Sequence, residues 1–299
     1  MARTEDVERL EVDGRRFELT HPDKVLYPAD GCTKRDVADY LCSVAAAMVP
    51  HMRGKPLTLR RFPDGVQAGG FFQKEASGHF PDWVRVASVP QRGEPGSVHH
   101  VVCDDAATLV YLATQATLEF HIGLSKVEDL DKPVLVVLDL DPPPDCELGE
   151  LRKAVREICR RFDAAGLSPH VQATGGKGFH VVAPLTGEQG FDEVRAASRE
   201  LADNAVRDHP DRFTTEHRKD RRGDRIFLDT NRNAYGQTMI CPYSPRARDG
   251  APAATPLDSG ELSKATPQGH GLANMTRRLA RKTDPWATMH RSAAHRVTE

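Results

Sequence analysis

Lys132-Pro-Val-Leu-Val-Val-Leu-Asp139-Leu-Asp141-Pro142-Pro-Pro is the stretch on which the reading of this chain turns. A short run of β-branched and leucine residues closed by prolines reads as a central buried strand. Residues i and i+2 of a strand share a face, with Cα atoms roughly 6.6–6.8 Å apart. Asp139 and Asp141 therefore present two carboxylates side by side, while Leu140 turns back into the core. Carboxylates this close repel unless a proton or a cation lies between them. Hard divalent ions suit such oxygen ligands, Mg²⁺ or Mn²⁺ where a phosphate completes the shell. Pro142 cannot donate to a ladder, so the strand stops there and the acids lie at its mouth. For an isolated Asp-x-Asp the alternative is a strand-end pair exposed to water.

Working outward, the 299 residues suffice for one large or two small domains. Hydrophobic residues make up 39% and charged ones 28%, ordinary values for a soluble globular protein. The net charge of −2 excludes a global basic field, so nucleic-acid binding requires local patches. Arg15-Arg16, Arg60-Arg61, Arg160-Arg161 and the run from Arg218 to Arg225 are such patches, each also readable as a solvated face. The six cysteines form no C-x-x-C, which supports neither a zinc ribbon nor a disulfide framework. With no signal peptide or long apolar run, the expected location is cytoplasmic, without a membrane partner.

Before the central strand, Leu10 to Leu19 reads as a hairpin about Asp13-Gly14. Thr33 caps a helix with Asp36 three residues on, and the helix is expected to end near Pro50. Lys24 and Lys34 bracket a tight loop and that helix start, as an anion site or as two surface lysines. Leu57 to Phe62 is a strand. In the Gly69-Gly70-Phe71-Phe72-Gln73-Lys74 segment, aromatics beside basic residues suit base stacking, with one phenylalanine expected to face inward and one outward. Trp83 to Val89 and Val98 to Cys103 form a hairpin with its tip at Gln91 to Gly96, and Asp105 to Glu119 reads as a helix, followed by His121 in an apolar context.

Beyond the acids, Glu147 to Ala165 is an amphipathic helix capped by Gly166. Pro169 to Val182 reads strand, glycine turn, strand, with Thr174-Gly-Gly-Lys177-Gly-Phe-His180 at the turn. Glycines let the backbone approach an anion and Lys177 adds a charge, although a plain β-turn reads equally well. The pattern is not a Walker A loop, because Gly178 follows the lysine and no helix follows the turn. Phe191 to Asp208 is a helix, and Ile226-Phe-Leu-Asp229 repeats the theme of an apolar strand ending in an acid. Asp229 is a natural third carboxylate for a two-metal site, with Arg222 and Arg246 as candidate phosphate clamps. A short helix spans Leu272 to Leu279, and residues 286–299 read as a polar tail.

In order along the chain, Asp-Lys24-Val-Leu-Tyr-Pro, Leu-Asp139-Leu-Asp141-Pro, the Thr174–His180 turn, Phe227-Leu-Asp229 and Pro242-Tyr-Ser-Pro-Arg-Ala-Arg resemble the archaeo-eukaryotic primase superfamily, and more closely the polymerase module of bacterial DNA ligase D. The resemblance implies an α+β fold: a mainly antiparallel, RRM-like catalytic sheet flanked by helices, with an N-terminal α/β portion. One primase-polymerase domain would occupy 1–285, divided near residue 130. It implies that Asp139, Asp141 and Asp229 bind two Mn²⁺ or Mg²⁺ ions. Thr174, Lys177 and His180 would hold the incoming NTP or dNTP, with His121 and Arg246 near its phosphates and Arg222 near the metals. Phe71 and Phe72 would pack template and incoming base, and Lys24 and Lys34 would capture the 5′-phosphate of a gapped or broken DNA end. Family members often insert ribonucleotides and prefer Mn²⁺. Thr174 stands where serine is frequent, and the hydroxyl is kept. No ligase module is recognisable in these residues, so sealing is expected from a separate ligase, with a Ku-type end-binding protein as a further partner. The implied activity is template-dependent gap filling or end extension in non-homologous end joining, at the nucleoid. A non-catalytic end-bridging module, a stand-alone primase and a two-metal nuclease are the competing readings.

Overall fold

A computed structural model describes residues 6–93 and 95–297. Residues 1–5, at the polar N-terminus, Glu94 in the expected hairpin tip and the last two residues of the expected tail lie outside the described residues. The chain divides into two compact units. One comprises residues up to Ile122, Ile240–Ala254 and His270–Thr283; the other comprises Gly123–Met239, Thr255–Gly269 and residues from Asp284.

The first unit opens with a hairpin, β1 (Val7–Val12) and β2 (Arg15–Thr20). Asp13 and Gly14 both take positive φ, 49° and 74°, as the twist of a two-residue hairpin requires. Helix α1 (Lys34–Met52) starts at Thr33, whose hydroxyl accepts from the Asp36 N–H while the Asp36 carboxylate accepts from the Thr33 N–H. It runs past Pro50 rather than ending there. A proline so near the end costs one ladder bond, and the Arg53 N–H still closes the last turn on the Val49 carbonyl. Strands β3 (Leu57–Arg61) and β4 (Phe71–Gln73) pair antiparallel, and β5 (Val86–Pro90) and β6 (Ser97–Val101) form the expected second hairpin.

The helix expected to reach Glu119 does not. Helix α2 (Ala106–Thr114), N-capped by Asp105, stops at Thr114, and Ala116 takes φ 58°. The chain then enters β7 (Thr117–Gly123), which pairs with β3. Leu118, Phe120 and Ile122 alternate along Thr117–Gly123, and period two outweighs helix propensity here. The consequence is chemical, because strand geometry places Glu119 and His121 on one face.

The second unit carries a six-stranded sheet. Its strands are β8 (Leu135–Asp141), β9 (His170–Ala173), β10 (Phe179–Pro184), β11 (Phe213–Thr214), β12 (Ile226–Asp229) and β13 (Thr255–Leu257). Their order is β11-β12-β8-β10-β9-β13, antiparallel except for β11 with β12. Helices α3 (Leu148–Ala164) and α4 (Phe191–Asp208) join a core with one face of this sheet. Val136, Leu138 and Leu140 of β8 pack there with Leu151, Val155, Ile158 and Phe162 of α3 and Val194 and Leu201 of α4. By alternation Val137, Asp139 and Asp141 take the face away from the helices. The mixed helix and antiparallel-sheet architecture is α+β, as expected.

The C-terminal residues depart from the sequence reading. Residues 286–297 do not trail as a polar tail: Trp286, Met289 and Val297 are buried, and the Ala294 N–H bonds the Pro184 carbonyl at 3.0 Å. Three apolar residues at irregular spacing leave no periodic signal to read. Asn233 is fully buried and acts as a surrogate strand for β8. Its Oδ1 accepts from the Val137 N–H at 2.9 Å, and its Nδ2 donates to the Val137 carbonyl at 2.7 Å. β12 pairs with β8 only at Asp139–Asp141, so Asn233 satisfies backbone groups that β12 does not reach. Asn233→Ala would bury an unmatched N–H and C=O, each worth about 1–3 kcal/mol. The expected loss is about 2–4 kcal/mol of stability, read as a lower urea midpoint at unchanged slope.

Candidate active-site surfaces

In the second unit, sheet register assembles the acids. Asp139 on the central strand lies directly opposite Asp229 on one side and His180 on the other. Asp141 follows two residues on, paired with Phe227. Three carboxylates and one imidazole thus share one face at one end of the sheet. The Asp139 carboxylate, 4% exposed, receives the Arg232 guanidinium, with Nη2 3.2 Å from Oδ2, and His180 Nε2 lies 3.4 Å from the same oxygen. Burial alone would raise its pKa, but His180 and Arg232 hold it down to about 2. Asp141 is pushed the other way, first by burial and then by the charges of Asp139 and Asp229.

That opposition is what a cation would relieve, and oxygen-only ligands fit Mg²⁺ or Mn²⁺. Among the described residues no group of three His, Cys, Asp or Glu side chains is already gathered as a metal cage. Arg232 instead supplies countercharge to Asp139. The sequence reading named Arg222 for this neighbourhood and missed Arg232. Arg222 donates to the Glu216 and His217 carbonyls and lies 3.6 Å over the ring of Phe227, the residue paired with Asp141. The signal for Arg232 was its position three residues after Asp229, where the 3₁₀ turn Asn231–Asn233 folds it back. The buried His180 Nδ1 has no hydrogen-bond partner among the described residues, and so remains available to a ligand.

The glycine turn between β9 and β10 is closed by Thr174. Its hydroxyl donates to the Gly178 carbonyl at 2.9 Å and accepts from the Gly176 N–H at 3.2 Å. Gln268 Nε2 donates to the Gly176 carbonyl, and Lys177 is exposed. Gly178 is glycine for packing, since a Cβ there would stand 1.9 Å from the Leu140 carbonyl oxygen. The turn is therefore pressed against the acid-bearing strand.

In the first unit, β4, β3 and β7 carry a second polar row, in which Phe72 is opposite Arg60 and Arg60 opposite Glu119. Phe71 and Phe72 are 49% and 62% exposed, so neither is the core residue expected of one of them. Gly70 explains this: it presses so close to Arg61 and Phe62 that a Cβ would clash at 2.5 Å, and Phe62 fills the core position. The Arg60 guanidinium lies 5.3 Å from the Phe72 ring centroid, and Phe72 meets the His121 ring edge-on at 5.6 Å.

Arg246 reaches this row from the Pro242-Tyr-Ser-Pro turn. Tyr243 sits at φ 67°, a strain of about 1–3 kcal/mol for a non-glycine residue. It is held by hydrogen bonds from the Tyr40 hydroxyl to its carbonyl at 2.7 Å and from the Phe120 N–H to Ser244 Oγ at 2.9 Å. Lys34 and Lys24 are joined by a backbone bond at 2.9 Å. Lys34 Nζ donates to the Thr20 carbonyl at 2.8 Å, and Lys24 pairs with Asp64. Burial, then the nearby charges of Lys24 and Arg61, lowers the Lys34 ammonium to about 8.

A family model described as LigD, primase-polymerase domain matches residues 33–286, most of the chain. The chain belongs to this LigD primase-polymerase family. Relatives within it include the multifunctional non-homologous end joining protein LigD of Mycolicibacterium smegmatis, 33% identical over 250 residues that cover 83% of this chain and 32% of that protein. The bifunctional non-homologous end joining protein LigD of Bacillus subtilis is 30% identical over 279 residues, 93% of this chain and 44% of its own length. The chain thus spans less than half the length of these curated relatives. The polymerase domain of Mycobacterium tuberculosis ligase D, solved in complex with DNA, superposes with a TM-score of 0.85 at 29% identity, covering 92% of this chain and 98% of that one. Among the described residues no helix is long and apolar enough to cross a membrane, and no cysteine is joined in a disulfide.

Gly178→Ala should move the turn off β8 and cost about 1–3 kcal/mol of overpacking strain. Thermal unfolding checks the cost. Gly176→Ala, whose Cβ would meet only the Thr174 hydroxyl at 3.2 Å, should melt within about 2 °C of wild type.

Proposed function

We propose that this chain is a nucleotidyltransferase that extends or fills broken and gapped DNA ends on a template, in the end-joining repair of double-strand breaks. The observation that carries this reading is the register of the acid-bearing sheet. Asp139 and Asp229 stand opposite each other and Asp141 shares their face, so two strands far apart in sequence bring three carboxylates to one face. A purely structural acid pair or an end-bridging module needs no such convergence.

Asp139, Asp141 and Asp229 would hold Mg²⁺ or Mn²⁺, which would neutralise charge on the transferring phosphoryl group and on the attacking and leaving oxygens. The chain's own groups supply the positioning. Arg232 keeps the Asp139 carboxylate ionised and oriented. His180, with Nε2 turned to Asp139, offers Nδ1 to a nucleotide. Lys177, exposed at the tip of a turn braced by Thr174, offers a mobile ammonium. In the first unit, His121 and Arg246 are assigned to nucleotide phosphates, and the exposed Phe71 and Phe72 faces to bases, since stacking is tolerant of base identity. Lys24 and Lys34 are assigned to a 5′-phosphate. The substrates are therefore NTP or dNTP and a 5′-phosphorylated end, with a DNA ligase activity and a Ku-type protein as expected partners at the nucleoid.

Primer extension on a 5′-phosphorylated gap with Mn²⁺ tests the assignment. Asp139→Ala should lower incorporation by on the order of a hundredfold or more, about 2.7 kcal/mol of transition-state stabilisation. Extension at the wild-type rate by that variant would overturn it.

Lys34 sets a pH dependence. Below about 8 its ammonium is charged, and as pH rises through that value the charge is lost. The phosphate is dianionic throughout that range. Preference for a 5′-phosphorylated end over a 5′-hydroxyl end should hold from pH 7 to 7.5 and shrink above 8, and Lys34→Arg should flatten the profile. Fluorescence-anisotropy titration with the two ends measures it.

A further inference from the structure

Glu119 is a buried carboxylate that neither a metal nor a nucleotide needs as a direct ligand. Its side chain is 2% exposed. Oε1 accepts from Arg246 Nε at 3.1 Å and from the Ala247 N–H at 3.1 Å. Oε2 accepts from Arg60 Nη1 at 3.3 Å and lies 3.3 Å from His121 Nε2. One carboxylate therefore touches both side chains assigned to nucleotide phosphates, together with the arginine beneath the exposed Phe72 ring. Burial works to protonate it, yet the His121 hydrogen bond and the Arg246 charge hold it well below the ordinary carboxylate range.

The arrangement is asymmetric in charge. Two guanidiniums and an imidazole share one anion, so the cluster keeps net positive character when each has satisfied Glu119. Arg246 is held to this carboxylate through Nε. The polar face continues in Thr58, opposite His121 in the register, whose buried hydroxyl has no partner among the described residues. A carboxylate that merely neutralised a buried arginine would not need all of these groups.

We infer that Glu119 is a positioning residue for the nucleotide triphosphate: it fixes the rotamers of Arg246 and His121 before the substrate arrives, and its charge keeps together two guanidiniums that would otherwise repel. This rests on the assignment of Arg246 and His121 to the nucleotide phosphates. It concerns substrate affinity rather than the chemical step, because Glu119 itself faces the cations and not the reacting atoms.

The test is steady-state nucleotide incorporation on the 5′-phosphorylated gapped duplex, with DNA-end affinity measured separately, for wild type, Glu119→Gln, Arg246→Ala and the double variant. Glu119→Gln should raise the nucleotide KM about tenfold, the scale of one lost charge-assisted hydrogen bond, with kcat changed less than about threefold and DNA-end Kd unchanged. Arg246→Ala should raise KM similarly, and the double variant should be no worse than about twice the weaker single one, since both changes disable the same unit. Additive effects, or a Glu119→Gln variant with wild-type KM beside an impaired Arg246→Ala, overturn the positioning role. If Arg246→Ala itself leaves KM unchanged, the phosphate assignment falls and this inference falls with it. Should Glu119→Gln fail to fold, Glu119→Asp supplies the measurement. It keeps the charge on an arm one methylene shorter, so KM should still rise about threefold or more, and a wild-type KM overturns the role.

Discussion

The antiparallel register of β8 with its two neighbours is the constraint on which the rest depends. A one-residue slip in a strand exchanges its two faces, so the alternation that buries Val136, Leu138 and Leu140 against α3 and α4 is the same alternation that puts Asp139 and Asp141 outside. Hydrophobic burial thereby pays for placing the acids. No separate device is needed to gather them: the core cannot form in this register without setting Asp139 between Asp229 and His180.

The repulsion created by that placement is handled differently in the two units, though by the same rule that a buried charge needs partners. In the second unit the anions outnumber the local cations, and Arg232 and His180 serve one aspartate while burial and repulsion push Asp141 toward protonation. In the first unit the cations outnumber the anion, and Glu119 serves Arg60, His121 and Arg246. Each surface is thus left with an excess of one sign, negative where metal ions are expected and positive where phosphates are.

Much of this was legible in the sequence. The Asp139, Asp141 and Asp229 strands announced themselves by apolar runs ending in acids, and the cap at Thr33, the Asp13-Gly14 turn and helix α4 follow local rules that act within a few residues. What escaped depends on the third dimension. Thr117–Gly123 was hidden because Ala113 and Ala116 continue a helical pattern beyond the true end of α2, and with it went the pairing of Glu119 and His121. Arg232 was passed over, since nothing local shows that Asn233 will be buried against Val137 and turn its neighbour toward Asp139. The exposure of both Phe71 and Phe72 follows from contacts at Gly70 with Arg61 and Phe62, which no alternation rule contains.

The interleaving of the two units in the chain has a consequence for biogenesis. The first unit takes its last helix from Leu272–Leu279, after the chain has twice left it for the second unit. Arg246 arrives on the intervening visit. A nascent chain released as far as residue 239 would hold the strands bearing all three aspartates yet lack the arginine, and neither unit could be excised as a contiguous fragment. Closing such long excursions favours slow, concerted assembly late in synthesis over stepwise maturation on the ribosome. A product truncated there would therefore carry the three aspartates without a complete copy of either unit.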